Sequence, residues 1–212
     1  MTAAFVPVPV VLQGRIALLE PLTPGHVPGL TQAARGPRET FALTTVPPDE
    51  AGMRAYVETA LAEQAAGRAL PFASRDLRTG QIVGSTRFLN IERWAWPQSG
   101  AQLARPGCPD AVEIGATWLS QSAQRGGANT EAKLLMLSYA FEVWKVRRVT
   151  LKTDARNVRS RAAIERIGAS FEGVLRAHVP SADGGVRDSA MYSILEDEWP
   201  DVRRRLEGLL AR

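Results

Sequence analysis

The chain has 212 residues, of which 45% are apolar and 23% charged, with a net charge of +4, proportions that suit one globular domain over 1–212 with a sizeable core. No apolar run approaches the ~20 residues of a membrane-spanning helix, and residues 1–11 lack the basic start and cleavage site of a signal peptide. A cytoplasmic protein without a membrane partner is therefore expected, with residues 1–9 as a flexible leader. The single cysteine, Cys108, cannot form an internal disulfide, and its setting in RPGCPD, among turn-formers, is poor for a nucleophile.

Basic side chains are dispersed apart from Arg147-Arg148 and Arg203 to Arg205. The second run sits on a terminal helix whose Trp199, Val202, Leu206 and Leu209 recur at helical spacing, which turns the arginines outward. No stripe for nucleic acid results. His26 and His178 are the only histidines, and neither has a neighbouring ligand pair, so neither a metal site nor a Ser/His/Asp arrangement is expected.

In chain order, Val10 to Leu19 reads as a strand closed by EPLTPGH. Helical stretches follow at about Gly25 to Ala34 and Glu50 to Ala66. The second carries Met53, Tyr56, Val57, Ala60 and Leu61 on one side, with Asp49 as its N-cap. LPFASRD and IVGSTRFLNIE alternate apolar and polar residues about the turn LRTGQ, an antiparallel hairpin. RWAWPQSGAQLARPGCPD is the longest irregular piece, whose Trp94 and Trp96 either line a pocket or pack beneath the loop. AVEIGATWL is a strand, NTEAKLLMLSYAFEVW a helix, RVTLKTD a strand and NVRSRAAIERIG a helix closed by Gly168. That alternation implies a right-handed crossover between parallel strands. ASFEGVLRAHV, SADGG and VRDSAMYSIL form a closing hairpin.

Between AVEIGATWL and the next helix lies QRGGANTE. The first turn of a helix leaves N–H groups unpaired and carries the positive end of the macrodipole, a seat for phosphate. Glycines admit close backbone approach, and Arg125 adds a charged donor. Neither GK[ST] nor G-x-G-x-x-G is present. Taken alone, glycines before a helix suit an ordinary turn better than a phosphate seat.

VEIGATWL, QRGGANTEAKLLMLSYAFE, RVTLKTDARNVRSRAAIERIGASFEGVLR and GGVRDSAMYSILEDEW, in that order, resemble the GNAT acetyltransferase superfamily, in particular its bacterial ribosomal-protein N-terminal acetyltransferase branch. The resemblance spans roughly the whole chain and is most specific from Val112 to Trp199. It implies an α+β fold in which a mixed, mostly antiparallel sheet splays between two central parallel strands, with helices on both faces and acetyl-CoA in the gap. By the same resemblance Trp118 and Leu119 meet the pantetheine arm, and Gln124, Arg125, Gly126, Gly127, Ala128, Asn129 and Thr130 seat the pyrophosphate. The family's loop reads Gln/Arg-x-x-Gly-x-Gly/Ala; Gln124 and Gly127 match its first and fourth positions, and Asn129 departs from the sixth. If the helix start alone seats the phosphate, glycine at 129 is expected to preserve or tighten binding, whereas a collapse in affinity would make the Asn129 side chain itself a ligand. In the second cofactor motif Asn157 touches the pantetheine or acetyl end, and Ser160 lies near the thiol.

Acetyl transfer to an amine needs a neutral amine, a donor for the oxyanion and a proton for the departing thiolate. Glu113 is the candidate base, placed where related acetyltransferases often have a catalytic glutamate; a strand glutamate of this kind also pairs readily with a cation. Ser160 first and Tyr192 second are the candidates for protonating the thiolate, and a backbone N–H near Trp118 or Leu119 would serve the oxyanion. The acceptor pocket is assigned to Arg87, Phe88, Trp94, Trp96 and Asp188. The expected acceptor is a primary amine, either a protein N-terminus such as that of a ribosomal protein or a small amine such as a polyamine, amino acid or aminoglycoside. A non-enzymatic acyl-CoA-binding module is the competing class, and either a monomer or a homodimer is expected.

Overall fold

Why one strand parts from its neighbour is the question the fold answers. In a computed structural model that describes residues 5–211, the strands are β1 (Leu12–Gln13), β2 (Ala17–Pro21), β3 (Ala69–Asp76), β4 (Gln81–Glu92), β5 (Ala111–Leu119), β6 (Arg148–Asp154), β7 (Ser170–Pro180) and β8 (Val186–Leu195). They form one sheet in the order β1-β2-β3-β4-β5-β6-β8-β7. Only β5 and β6 are parallel; the other neighbours pair antiparallel. The parallel ladder ends at Glu113 opposite Thr150, although β5 runs on to Leu119 and β6 to Asp154. Beyond that rung the two strands diverge, which is the splayed centre of the expected α+β fold.

Two bulges accompany the divergence. Ala116 in β5 and Asn90 in β4 have φ of 47° and 49°, at the places where the β4–β5 register slips. A bulge adds local twist and re-aims side chains.

The helices are α1 (Val27–Ala33), α2 (Glu50–Ala65), α3 (Ala128–Ser138), α4 (Val158–Arg166) and α5 (Trp199–Leu210). One core, built on α1 and α2 through Leu30, Met53 and Val57, includes Trp118 of β5. The larger core lies around α3 and α5, with Phe72, Phe88, Met136 and Leu206. Period-2 alternation divides β4 between them. Ser85 and Arg87 face α2, where Tyr56 hydrogen-bonds Ser85 and stacks beneath Arg87. Thr86 and Phe88 face α3.

Local signals acted as their chemistry dictates. Asp49 caps α2 by accepting from the Gly52 N–H at 2.8 Å, and Gly168, at φ 101°, follows the end of α4 in the left-handed conformation that favours glycine. The expected helix over 129–144 is α3 followed by a π-helical turn at Tyr139–Val143.

The expected strand Val10 to Leu19 is instead two strands broken at 14–16, because a distant carboxylate intervenes. Glu131, buried in the first turns of α3, accepts from the N–H groups of Arg15, Ile16 and Ala17 at 3.0, 2.6 and 2.6 Å. A Cβ at Gly14 would stand 2.3 Å from the Glu131 carboxyl carbon. Of the leader, residues 1–4 lie outside the described residues; Phe5 sets its ring edge-on to Trp144 at 5.3 Å. No helix among the described residues is long and apolar enough to cross a membrane.

Candidate active site

A cavity of about 1220 Å³ opens where β5 leaves β6, reached by both faces of the sheet and by the starts of α3 and α4. Glu113, Trp118, Leu119, Gln124, Arg125, Gly127, Asn129, Thr130, Asn157, Ser160 and Arg87 all line it. Residues as far apart in the chain as Arg87 and Ser160 thus share one enclosure, because the split strand and two helix starts converge there.

The loop before α3 is shaped by two left-handed residues, Arg125 at φ 62° and Gly127 at φ 84°. Glu131 N–H is the first to bond back, to the Gly127 carbonyl, so the N–H groups of Ala128, Asn129 and Thr130 lack intrahelical acceptors. Gln124 fixes the loop to the strand end by donating to the Leu119 carbonyl at 3.1 Å and accepting from Arg159 at 3.2 Å. Arg159 in turn donates to the Thr40 carbonyl at 2.8 Å. Gly126 and Ala128 do not line the cavity: Gly126 backs onto Arg78 and Ala128 is buried in the packing of the helix start.

At the second helix start, Asn157 accepts from the Ser160 N–H at 3.0 Å, an N-cap, and both residues line the cavity. Thr130 accepts from Arg166 at 2.9 Å, which ties α4 to α3.

Glu113 is buried, and its Oε2 accepts from Asn90 Nδ2 at 2.8 Å and meets Lys152 Nζ at 2.9 Å. The cation that pairs with it is therefore a lysine. Its Oε1 lies over Gly115, where a Cβ would come within 2.8 Å, so glycine there keeps space for the carboxylate.

Polar atoms without partners mark the same enclosure. Trp118 Nε1, Arg87 Nε and Asn129 Oδ1 are buried without a hydrogen bond among the described residues, a cost that a ligand's polar groups would remove. Three unpaired N–H groups at α3, a left-handed glycine that admits close approach and these orphaned atoms fit an elongated ligand rich in phosphate and amide groups.

Sequence reading missed Lys133. It lies four residues after Asn129 on the same face of α3, lines the cavity and donates to Thr117 Oγ1 at 2.8 Å. Burial without a carboxylate partner pushes its ammonium down to about 7. The one visible signal was a lysine inside an otherwise apolar stretch, KLLMLSYAF. Tyr56, Asn90 and Lys152 carried no signal, since their partners come from other elements.

Beyond Gly126 and Ala128, five more expected residues stand elsewhere. Phe88 is fully buried against Phe72, Tyr139 and Trp144, because alternation puts it on the face opposite Arg87. Trp94 and Trp96 pack around Asp110, which accepts from the Trp94 N–H at 2.9 Å and from the Trp96 indole at 3.2 Å; they border a separate shallow hollow beside Arg147. Asp188 is committed to the β7–β8 hairpin, accepting from the Ala177 N–H at 2.8 Å. Tyr192 is fully buried on β8; its hydroxyl donates to Glu165 at 2.9 Å and accepts from Arg161 at 3.0 Å. Desolvation raises the Tyr192 phenol above its ordinary value, and it does not reach the cavity lining.

The family described as "Acetyltransferase (GNAT) domain" matches residues 17–170. "Putative ribosomal N-acetyltransferase YdaF" of Bacillus subtilis (strain 168) is 36% identical over 88 residues, 42% of this chain and 47% of that protein; the match thus spans about half the length of that relative. A GCN5-related N-acetyltransferase from Brucella melitensis superimposes with a TM-score of 0.82 at 28% identity, covering 99% of this chain and 89% of the other. RimJ of Mycobacterium smegmatis, solved in complex with CoA-disulfide, shares the fold at a TM-score of 0.76 and 21% identity over 95% of each chain. Sheet order, split strand and family match agree: the chain belongs to the GNAT acetyltransferase family.

Proposed function

We propose that this protein is an acetyl-CoA-dependent N-acetyltransferase whose acceptor is the primary amine of a protein N-terminus. One observation carries the reading: the α3 start with its unpaired N–H groups and the buried Glu113 line the same cavity, at opposite ends of the stretch of β5 that has left its parallel neighbour. A phosphate-seating end and a proton-accepting end in one enclosure are what thioester aminolysis requires.

The bound cofactor supplies an acetyl thioester. Arg125, Gly127, Asn129 and Thr130 would hold its phosphates, with the α3 macrodipole adding to the attraction. Trp118 and Leu119 would lie along its arm, and Asn157 and Ser160 at its thiol end. Glu113, directly or through a water, would take the proton from the acceptor's ammonium. Ser160 would offer its hydroxyl proton to the departing thiolate. Tyr192, whose hydroxyl is spent on Glu165 and Arg161 away from the cavity, is not given that role.

Support for a protein N-terminus comes from the Bacillus subtilis relative, named for ribosomal N-acetylation. The test is thiol release from acetyl-CoA against N-terminal peptides, polyamines and aminoglycosides, with calorimetric titration of CoA alongside. Saturable turnover on peptides alone is the expected result. CoA binding without turnover on any amine would instead establish a binding module.

A further inference from the structure

The cavity-lining arginines are not equivalent. Arg68 is held by Glu63, Arg159 by Gln124 and Thr40, Arg166 by Thr130 and Arg187 by Ser189. Arg125 and Arg87 line the same cavity with no hydrogen bond or ion pair among the described residues. Arg125 stands at the loop assigned to phosphate. Arg87 stands at the other end, on the face of β4 that meets α2.

Arg87 is set in place. Its guanidinium carbon lies 4.9 Å from the centre of the Tyr56 ring. The Tyr56 hydroxyl donates to Ser85 Oγ at 3.3 Å, and Ser85 donates on to the Phe72 carbonyl at 2.9 Å, so the aromatic platform is itself fixed. Buried Nε has no acceptor. Both nearby carboxylates are engaged, Glu63 with Arg68 and Glu113 with Lys152.

Register relates this cation to the proposed base. Arg87 pairs with Gly115, and Leu89 with Glu113, so Arg87 and Glu113 emerge on one face as diagonal neighbours, a separation of about 7–8 Å between backbones in such a ladder. Gly115 sends no side chain between them. A small acceptor whose amine sits at Glu113 therefore presents its adjacent substituents to a stacked, unpaired planar cation.

We infer that Arg87, stacked on Tyr56, binds a carboxylate carried close to the acceptor amine, either the side chain of an acidic N-terminal residue or the α-carboxylate of a free amino acid. The inference rests on the acetyltransferase reading and narrows its substrate class. A planar guanidinium takes carboxylate through two parallel hydrogen bonds, and a carboxamide of the same shape forfeits the charge.

The test compares thiol release in two matched pairs: tripeptide amides beginning with Asp or Asn, and free aspartate against its α-amide. The first pair isolates the side chain as the source, the second the α-carboxylate. In one pair, kcat/KM is expected to favour the acid by about 10- to 100-fold, mainly through KM, the scale of a lost charge-assisted contact. Arg87→Met should bring the acid down to the level of its amide, and Arg87→Lys, which keeps the charge but loses the fork, should fall between. Equal kcat/KM within both pairs overturns the inference, as does an equal loss of kcat for acid and amide in Arg87→Met, the mark of a donor to the oxyanion. Should no acceptor turn over, calorimetry on the CoA-loaded protein decides the matter, with N-acetylaspartate α-amide against N-acetylasparagine α-amide for the side chain and N-acetylalanine against its amide for the α-carboxylate: equal affinities within both pairs overturn the carboxylate site. Failure to bind CoA would overturn the acetyltransferase reading itself.

Discussion

Glu113 Oε2 and Lys152 Nζ stand 2.9 Å apart across the point where β5 and β6 cease to pair. The ion pair runs from Glu113 in the last shared rung to a residue two positions past Thr150 on β6, and both partners line the cavity. Glu113 Oε1, which faces the space kept by Gly115, is the oxygen open to an incoming ammonium. In Glu113→Gln the amide oxygen can still accept from Lys152, so the fold and CoA affinity should persist. Turnover at neutral pH should fall by about 10²- to 10⁴-fold, the contribution of a positioned base. The deficit should shrink as pH rises and the acceptor amine loses its proton unaided. A pH–rate profile parallel to that of the wild type would remove Glu113 from the proton transfer.

Glu131 shows how the site depends on a contact far away in sequence. Its carboxylate gathers three N–H groups from 15–17, fastening the β1–β2 turn to the start of α3, where Ile16 lies 3.2 Å from a Cβ built at Gly127. Glu131→Ala leaves three donors without their acceptor and should cost about 2–4 kcal/mol in urea melts. It should also weaken CoA binding by loosening the loop at Gly127. Glu131→Gln should recover only part, since half of its amide donates where an acceptor is needed. A loss no larger than that of an ordinary surface substitution would show the turn to be held by other contacts.

That contact also explains which features were legible in the sequence. Asp49 and Asn157 act through N–H groups three residues away, and the β3–β4 hairpin is set by its own turn, so local pattern sufficed. The break at Gly14 was hidden because its cause lies 114–116 residues along the chain. Val10 to Leu19 has the apolar content of one strand. That the loop before α3 and Glu113 would share one cavity was reachable because their motifs are contiguous. Trp94, Trp96, Asp188 and Tyr192 were misplaced for a common reason: each has a local or neighbouring polar partner that only folding reveals. Phe88 differs, since the alternation in IVGSTRFLNIE already sets it opposite Arg87.

Lys133 gives the protein a titration signature. Its folded-state value, about 7 against an ordinary 10.5, lies below that of the unfolded chain. Between about pH 7 and 10 the unfolded chain binds a proton that the folded chain does not, so stability climbs with pH across that window, with a limiting slope of about 1.4 kcal/mol per pH unit from this group. Below pH 7 both states are protonated and the desolvation penalty is fully present. Lys133→Met removes the penalty while keeping a similar volume. It should stabilise the fold most at pH 6–7 and flatten the rise toward pH 10, as read from urea melts across that range. Equal pH dependence in the two proteins would mean that the ammonium is solvated in the folded state.

Asn129 holds the position where the family loop carries a small residue, and its Oδ1 is buried without a hydrogen bond. Two accounts make opposite predictions. If the side chain only fills space, its removal discards an orphaned polar atom, and CoA affinity should hold or rise. If it serves the ligand, the unliganded protein carries the cost of that atom until CoA supplies the partner. The cavity-facing position beside the unpaired N–H groups at the start of α3 favours the second account. Asn129→Ala should leave the melting temperature of the unliganded protein unchanged or raised, because alanine is the better helix former and no internal bond is lost. The same variant should bind CoA about 10-fold more weakly in calorimetry, the scale of one hydrogen bond in an enclosed site. Affinity equal to or better than wild type in both Asn129→Ala and Asn129→Gly would assign the CoA contact to the backbone alone.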